Sequence, residues 1–164
     1  MGANMTAKVN YIAEGYHSVT PYLVIKGAAQ AIEFYKSAFG ATELSRLADP
    51  SGTIMHAQIE IGDSRIMIAD ETPDSEKIGT GSPKTLGAAT AIIQIYVPDV
   101  DVVVDRAVAG GAKVLIPVDD RFYGDRDGRL ADPFGHIWII GTHKEDVTPE
   151  EIHRRVEAFM KPQE

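Results

Sequence analysis

Apolar and polar residues alternate in short runs along most of this chain, and two stretches break the alternation with apolar residues at helical spacing. Val19 to Ile25 is apolar and rich in β-formers. It leads into Ala28 to Phe39, where Ala28, Ala31, Ile32, Tyr35 and Phe39 share one helical face before Gly40 stops the run. Three strands are predicted next, over Thr42 to Leu47, Thr53 to Ile61 and Arg65 to Ala69, turned at Asp49-Pro50-Ser51-Gly52 and Gly62-Asp63. Glu71 to Gly87, rich in Thr, Pro, Ser and Gly, has no periodicity and reads as a surface linker or mobile loop.

The pattern then restarts. Ala91 to Val97 reads as a strand, and Asp99 is placed to cap a helix with Val100, Val103, Val104, Ala107 and Val108 on its apolar stripe, stopped by Gly110-Gly111. Lys113 to Pro117, Arg129 to Ala131 and Ile137 to Gly141 supply three further strands. Matching Ile25 to Val97 gives an offset of about 72 residues, which also sets Met67 on Ile139. The expected organisation is one α+β domain over residues 1–164, made of two tandem βαβββ modules (about 17–72 and 89–143) joined by a linker near 73–88. A last helix is predicted near 148–160: Thr148-Pro149-Glu150-Glu151 is a capping sequence, and Ile152, Val156 and Phe159 form a stripe that must dock on the domain or on a second subunit.

Composition narrows the function. There is no cysteine, hence no disulfide, thiolate nucleophile or thiolate metal site, and a cytoplasmic address is the simplest reading. No apolar run reaches membrane-spanning length. A net charge of −8 with scattered basic residues argues against a nucleic-acid partner. No phosphate-cradling glycine loop, nucleophile elbow or cysteine–histidine pair is present.

The two βαβββ units, with Pro21-Tyr22-Leu23-Val24, Ala31-Ile32-Glu33-Phe34-Tyr35, Met55-His56-Ala57, Tyr96-Val97-Pro98-Asp99, Tyr123-Gly124-Asp125-Arg126 and Asp132-Pro133-Phe134-Gly135-His136-Ile137-Trp138, resemble the vicinal-oxygen-chelate (glyoxalase/bleomycin-resistance/dioxygenase) superfamily, most closely its PhnB-like branch. The resemblance implies a curved eight-stranded mixed sheet around a cup, in which many relatives hold a divalent metal, and it implies a homodimer. The positions matching the usual metal ligands are Thr20, Met67, Ile92 and Ile139, and none offers an imidazole or carboxylate. No cofactor is expected, and a divalent metal only through a non-standard site.

Strand alternation sorts candidates onto the cup face. With Leu23, Ile25, Ile93, Ile95, Ile66, Ile68, Trp138 and Ile140 toward the helices, the residues Thr20, Tyr22, Ile92, Gln94, Tyr96, Arg65, Met67, Ile137 and Ile139 face the cup. His56, Gln58 and Glu60 form its most polar row, opposite Met55, Ala57, Ile59 and Ile61. His56 is the catalytic candidate, as a general acid or base or as an anion anchor, against the plainer reading of a histidine satisfied by a neighbour. His56 and Glu60 are about 13 Å apart along the strand, too far to share one ion. Thr20, Tyr22, Gln58, Glu60, Met67, Gln94 and Ile139 are candidates to line a ligand; Tyr123 and Arg126 are read in a loop over the mouth, where an arginine could hold an oxygen pair. Trp138 reads as core, His143 as lying beyond the last strand. The leading expectation is a small-molecule binding protein that sequesters its ligand without metal. The rival is a glyoxalase-type lyase or isomerase, or a dioxygenase-related enzyme, using His56 or a non-standard metal site.

Overall fold

Both strand–helix–meander units form, in a computed structural model that describes residues 10–160. The first comprises β1 (Tyr22–Ile25), α1 (Ala28–Phe39), β2 (Thr42–Ala48), β3 (Ile54–Ile61) and β4 (Ser64–Asp70). A 3-10 turn (Glu76–Ile78) and a short helix α2 (Pro83–Leu86) follow. The second unit comprises β5 (Ile92–Tyr96), α3 (Val100–Ala109), β6 (Lys113–Asp120), β7 (Asp125–Ala131) and β8 (Ile137–His143), and α4 (Pro149–Met160) ends the described chain. The eight strands lie in two four-stranded mixed sheets, ordered β1-β4-β3-β2 and β5-β8-β7-β6. In each, the first strand runs parallel to the last and the rest is antiparallel.

Each unit starts its helix from the far end of its own last strand. Gly27, left-handed at φ 94°, has no side chain to cap α1. Asp70 at the end of β4 accepts from Gly27 N (3.1 Å) and Ala28 N (2.7 Å) instead, and its other oxygen accepts from Ile54 N (2.7 Å). At the matching place of the second unit the Thr142 hydroxyl accepts from Val100 N (2.9 Å) and donates to Val97 O (2.9 Å). Asp99 caps the same helix through Val102 N.

One core serves both units. α1 packs on α3, and Tyr35 and Phe39 reach Trp138 on β8, with ring centroids 5.3 and 4.9 Å away. Asp132, buried in the turn before β8, joins the units: one oxygen accepts from Tyr35 Oη (2.7 Å) and Trp138 Nε1 (2.9 Å), the other from Phe134 N (2.8 Å) and His136 N (3.0 Å). Burial, then the neighbouring carboxylate, pushes the Tyr35 hydroxyl well above its ordinary pKa. The helix-facing sides of both sheets close on this core, so their other faces turn away from it.

Several elements depart from the sequence expectation. A bulge opposite Leu47 and Ala48 turns Ile54 into the core in place of Met55, which is 57% exposed. β7 begins at Asp125, so Asp125 and Arg126 are strand residues, and β8 runs on to include His143. The linker is fastened: the Glu71 carboxylate accepts from Ser82 N, Ser82 Oγ and Thr85 Oγ1. α4 docks less than its stripe suggested. Phe159 is 80% exposed, and the helix is held chiefly by Arg155, which donates to Glu145 (2.8 Å) and to Phe122 O (3.2 Å).

Candidate functional site

The outer face of the first sheet gathers most of the polar row. Tyr22, Met67 and Gln58 stand side by side on β1, β4 and β3. His56 reaches across to this row, with Nδ1 3.2 Å from Tyr22 Oη and Nε2 3.3 Å from Gln58 Nε2. As the amide is oriented it donates to Nε2, which leaves Nδ1 to carry the proton and donate to the tyrosine. His56 is thus half-buried and held in place on both sides. Glu60 pairs with Arg65 on β4 (3.4 Å), whose guanidinium also donates to Glu14 O (2.6 Å) and lies 5.0 Å from the Tyr16 ring centroid.

Thr20 precedes β1 and is not among the residues bonded to His56. It lines a cavity of about 410 Å³ between the β3–β4 hairpin and β5, together with Arg65, Gln94, Tyr96 and His17 on an apolar floor of Ile61, Ile66 and Ile93.

The outer face of the second sheet carries a constellation that the sequence reading caught only in part. Counting alternation back from Leu130, which pairs with Trp138 on the core side, puts Arg129, Asp127 and Asp125 on the outer face. Gln94, Ile139, Arg129 and Ile116 form one row across all four strands. Tyr96, Gly141 and Asp127 form the next. Asp125 accepts from Tyr96 Oη (2.8 Å) and meets His143 Nδ1 (2.7 Å), whose Nε2 is 3.0 Å from Asp146. Asp127 accepts from Arg121 Nε (2.8 Å) and, in a short bond, from Tyr123 Oη. Burial, then Asp127, raises the Tyr123 hydroxyl to about 12; the bond to Asp125 raises Tyr96, and Asp125, then Asp146, raises His143.

Arg126 sits on the opposite side of the same strand. It makes a two-pronged bond to Asp101 of α3 (both 2.8 Å) and a longer one to Asp120 (3.3 Å), so it braces strand to helix and does not join the other candidates. The reason is parity: a strand that already runs at Asp125 sends Arg126, with Gly128 and Leu130, to the helix side. Asp127 escapes a strand that is read only from Arg129 onward, and extending the alternation backward finds it; Arg129 lies inside the predicted strand, but nothing in its immediate sequence marks it out.

A divalent ion fits poorly at the positions matched to the usual ligands. Ladder register sets Met67 beside Tyr22 and Ile139 beside Gln94, with Thr20 and Ile92 two residues earlier. These offer hydroxyl, amide, thioether and alkyl groups, not the imidazole and carboxylate oxygens that Fe, Mn, Ni or Zn take. Among the described residues, no group of three or more His, Asp or Glu side chains stands close enough together to hold a metal ion. No helix among them is long and apolar enough to cross a membrane.

Comparison with known proteins agrees with the fold. The family model described as the Glyoxalase/Bleomycin resistance protein/Dioxygenase superfamily matches residues 8–140. The uncharacterized protein Mb0911c of Mycobacterium bovis is 38% identical over 135 residues, which cover 82% of this chain and 89% of that protein. The PhnB protein from Bacillus cereus superposes with a TM-score of 0.56 at 20% identity, over 77% of this chain and 99% of that one. The fosfomycin resistance protein FosX from Listeria monocytogenes, solved with Mn(II) and sulfate, superposes with a TM-score of 0.58 at 17% identity, over 82% of this chain and 95% of that one.

Proposed function

This chain belongs to the Glyoxalase/Bleomycin resistance protein/Dioxygenase superfamily, and from that premise we propose that it binds a small organic molecule without a resident divalent metal, holding the ligand rather than transforming it. The observation that carries the proposal is the donor set: Thr20, Met67, Ile92 and Ile139, with ladder neighbours Tyr22 and Gln94, supply no imidazole or carboxylate where a metal would need one. The same residues suit an organic ligand. Met67, Ile92 and Ile139 give apolar contact, and Tyr22, Gln58, Glu60 and Gln94 give hydrogen bonds that fix orientation. Titration calorimetry with Ni, Mn, Zn and Fe(II) tests the reading. It expects no tight binding, and one tight equivalent per chain, lost on changing outer-face residues, would refute it.

The placement in the PhnB-like branch belongs to the same proposal, supported by the quoted motifs and the likeness to the Bacillus cereus protein. So do a cytoplasmic address and a homodimer. Pairing is favoured by apolar side chains left exposed on the outer faces, among them Tyr22, Met55, Ile92 and Tyr96, and by the α4 stripe. Sedimentation equilibrium giving the mass of one chain at micromolar concentration would count against it.

A second reading, an enzyme with His56 as acid or base, draws on the Tyr22–His56–Gln58 arrangement, which holds the imidazole in one orientation. A His56→Ala variant with full turnover on an identified substrate would exclude that role.

A further inference from the structure

Resting on the metal-free binding proposed above, we propose that Arg129 anchors the ligand through a carboxylate, so that the molecule taken up is a small organic acid with an apolar body. Arg129 stands mid-sheet on the outer face, between Ile139 on β8 and Ile116 on β6, with Gln94 one strand beyond Ile139. Strands are spaced about 4.8 Å apart, so the backbones of Gln94 and Arg129 are about 10 Å apart, a gap that a small acid spans.

Among the described residues, no anion is bonded to the Nε of this guanidinium. Its Nε is buried from solvent and has no hydrogen-bond partner among the described residues. An arginine stays charged at every accessible pH, so it cannot relieve this by losing its proton. The carboxylates next along its own strand are committed elsewhere. Asp127 has one oxygen on Arg121 and the other on Tyr123. Asp125 has one on His143 and the other on Tyr96. Neither carboxylate is bonded to Arg129 among the described residues, and its flat fork of donors matches the two oxygens of a carboxylate. Ile116, Ile137 and Ile139 beside it offer apolar contact, and Gln94 a neutral hydrogen bond further along the row.

The test compares hexanoate with hexanamide, equal in shape and different in charge, on the intact protein. Binding is followed by calorimetry and by the ¹⁵N–¹H signal of Arg129 Nε. Hexanoate is expected to move that signal and to bind about tenfold more tightly than the amide, a difference near 1.4 kcal/mol. Arg129→Gln should erase the preference. Arg129→Lys should keep part of it, since an ammonium supplies charge without the fork. Arg126→Gln, changed on the far side of the same strand, should leave it intact. Equal binding of acid and amide, no hexanoate binding, or a preference that survives Arg129→Gln overturns the proposal. If the glutamine variant does not fold, the Nε signal of the unaltered protein decides alone. Binding of hexanamide without charge preference removes this proposal and leaves metal-free capture standing, whereas capture itself fails by the metal titration.

Discussion

Replacing Asp132 by asparagine tests the joint between the two halves of the molecule. The side chain keeps its size but exchanges one acceptor oxygen for an amino group. The oxygen serving Phe134 N and His136 N can remain an acceptor, so the amino group falls opposite Tyr35 Oη and Trp138 Nε1. The tyrosine hydroxyl can turn and accept. The indole N–H, a donor only, is left facing another donor in a fully buried position. A stranded buried N–H costs about 1–3 kcal/mol, and weaker bonds to a neutral group add on the order of 1 kcal/mol, so about 2–4 kcal/mol should be lost. With a urea dependence of about 2 kcal/mol per molar, the unfolding midpoint falls by about 1–2 M. Fluorescence reads it directly, because Trp138 is the only tryptophan in the chain. A Tyr35→Phe variant completes a double-mutant cycle, where coupling of at least about 0.5 kcal/mol is expected. An unchanged midpoint for Asp132→Asn, or strictly additive effects in the cycle, would refute the hub argument.

Four further outcomes follow from the same physics. Trp138→Ala, at a site with no solvent exposure, should cost about 3–5 kcal/mol in denaturant unfolding. Gly124→Ala should be strongly destabilising for its size, since φ is +98° and a Cβ would fall 2.1 Å from Glu145 O; a thermal scan with an unchanged Tm would contradict that. His143, raised by Asp125 and Asp146, should show an NMR titration midpoint above about 6.5 that drops in Asp125→Asn; the stabilisation it confers is present at pH below about 6.5 and is lost as pH rises through the raised midpoint. Tyr35 retains its proton in the folded state past pH 10, where the unfolded chain releases one, so stability should fall with rising pH above about 10, and Tyr35→Phe should flatten that slope.

Alternation and helical spacing made most of the architecture readable, because α1, α3 and the inner strands each bury one face against one core. The repeat offset even places Asp70 over Thr142, two residues that cap their helices by different chemistry. What escaped the sequence lies where local rules yield to distant partners. Nothing near Met55 announces the bulge that hands its core place to Ile54, because the bulge shows only in the register of β3 against β2. Asp125 to Gly128 carries three charges and a glycine in four positions, a composition that reads as loop until its strand partners on β6 and β8 are known. Hence Arg126 reads as part of a loop over the cup mouth, and Arg129, inside the predicted strand, has no sequence signal that sets it apart from an ordinary surface arginine. His56, Tyr22 and Gln58 were legible as one face; that they touch was not.

The carboxylate that fastens the first half's helix resides in the second half's turn, so neither half owns a complete interior. Cut within the linker, the leading fragment would keep Tyr35 and Phe39 but forfeit Trp138 and Asp132, presenting bare aromatic surface to water. The duplicated chain is therefore one cooperative folding unit despite its repeat: it should melt in a single transition, and its halves, produced separately, should regain solubility only when mixed.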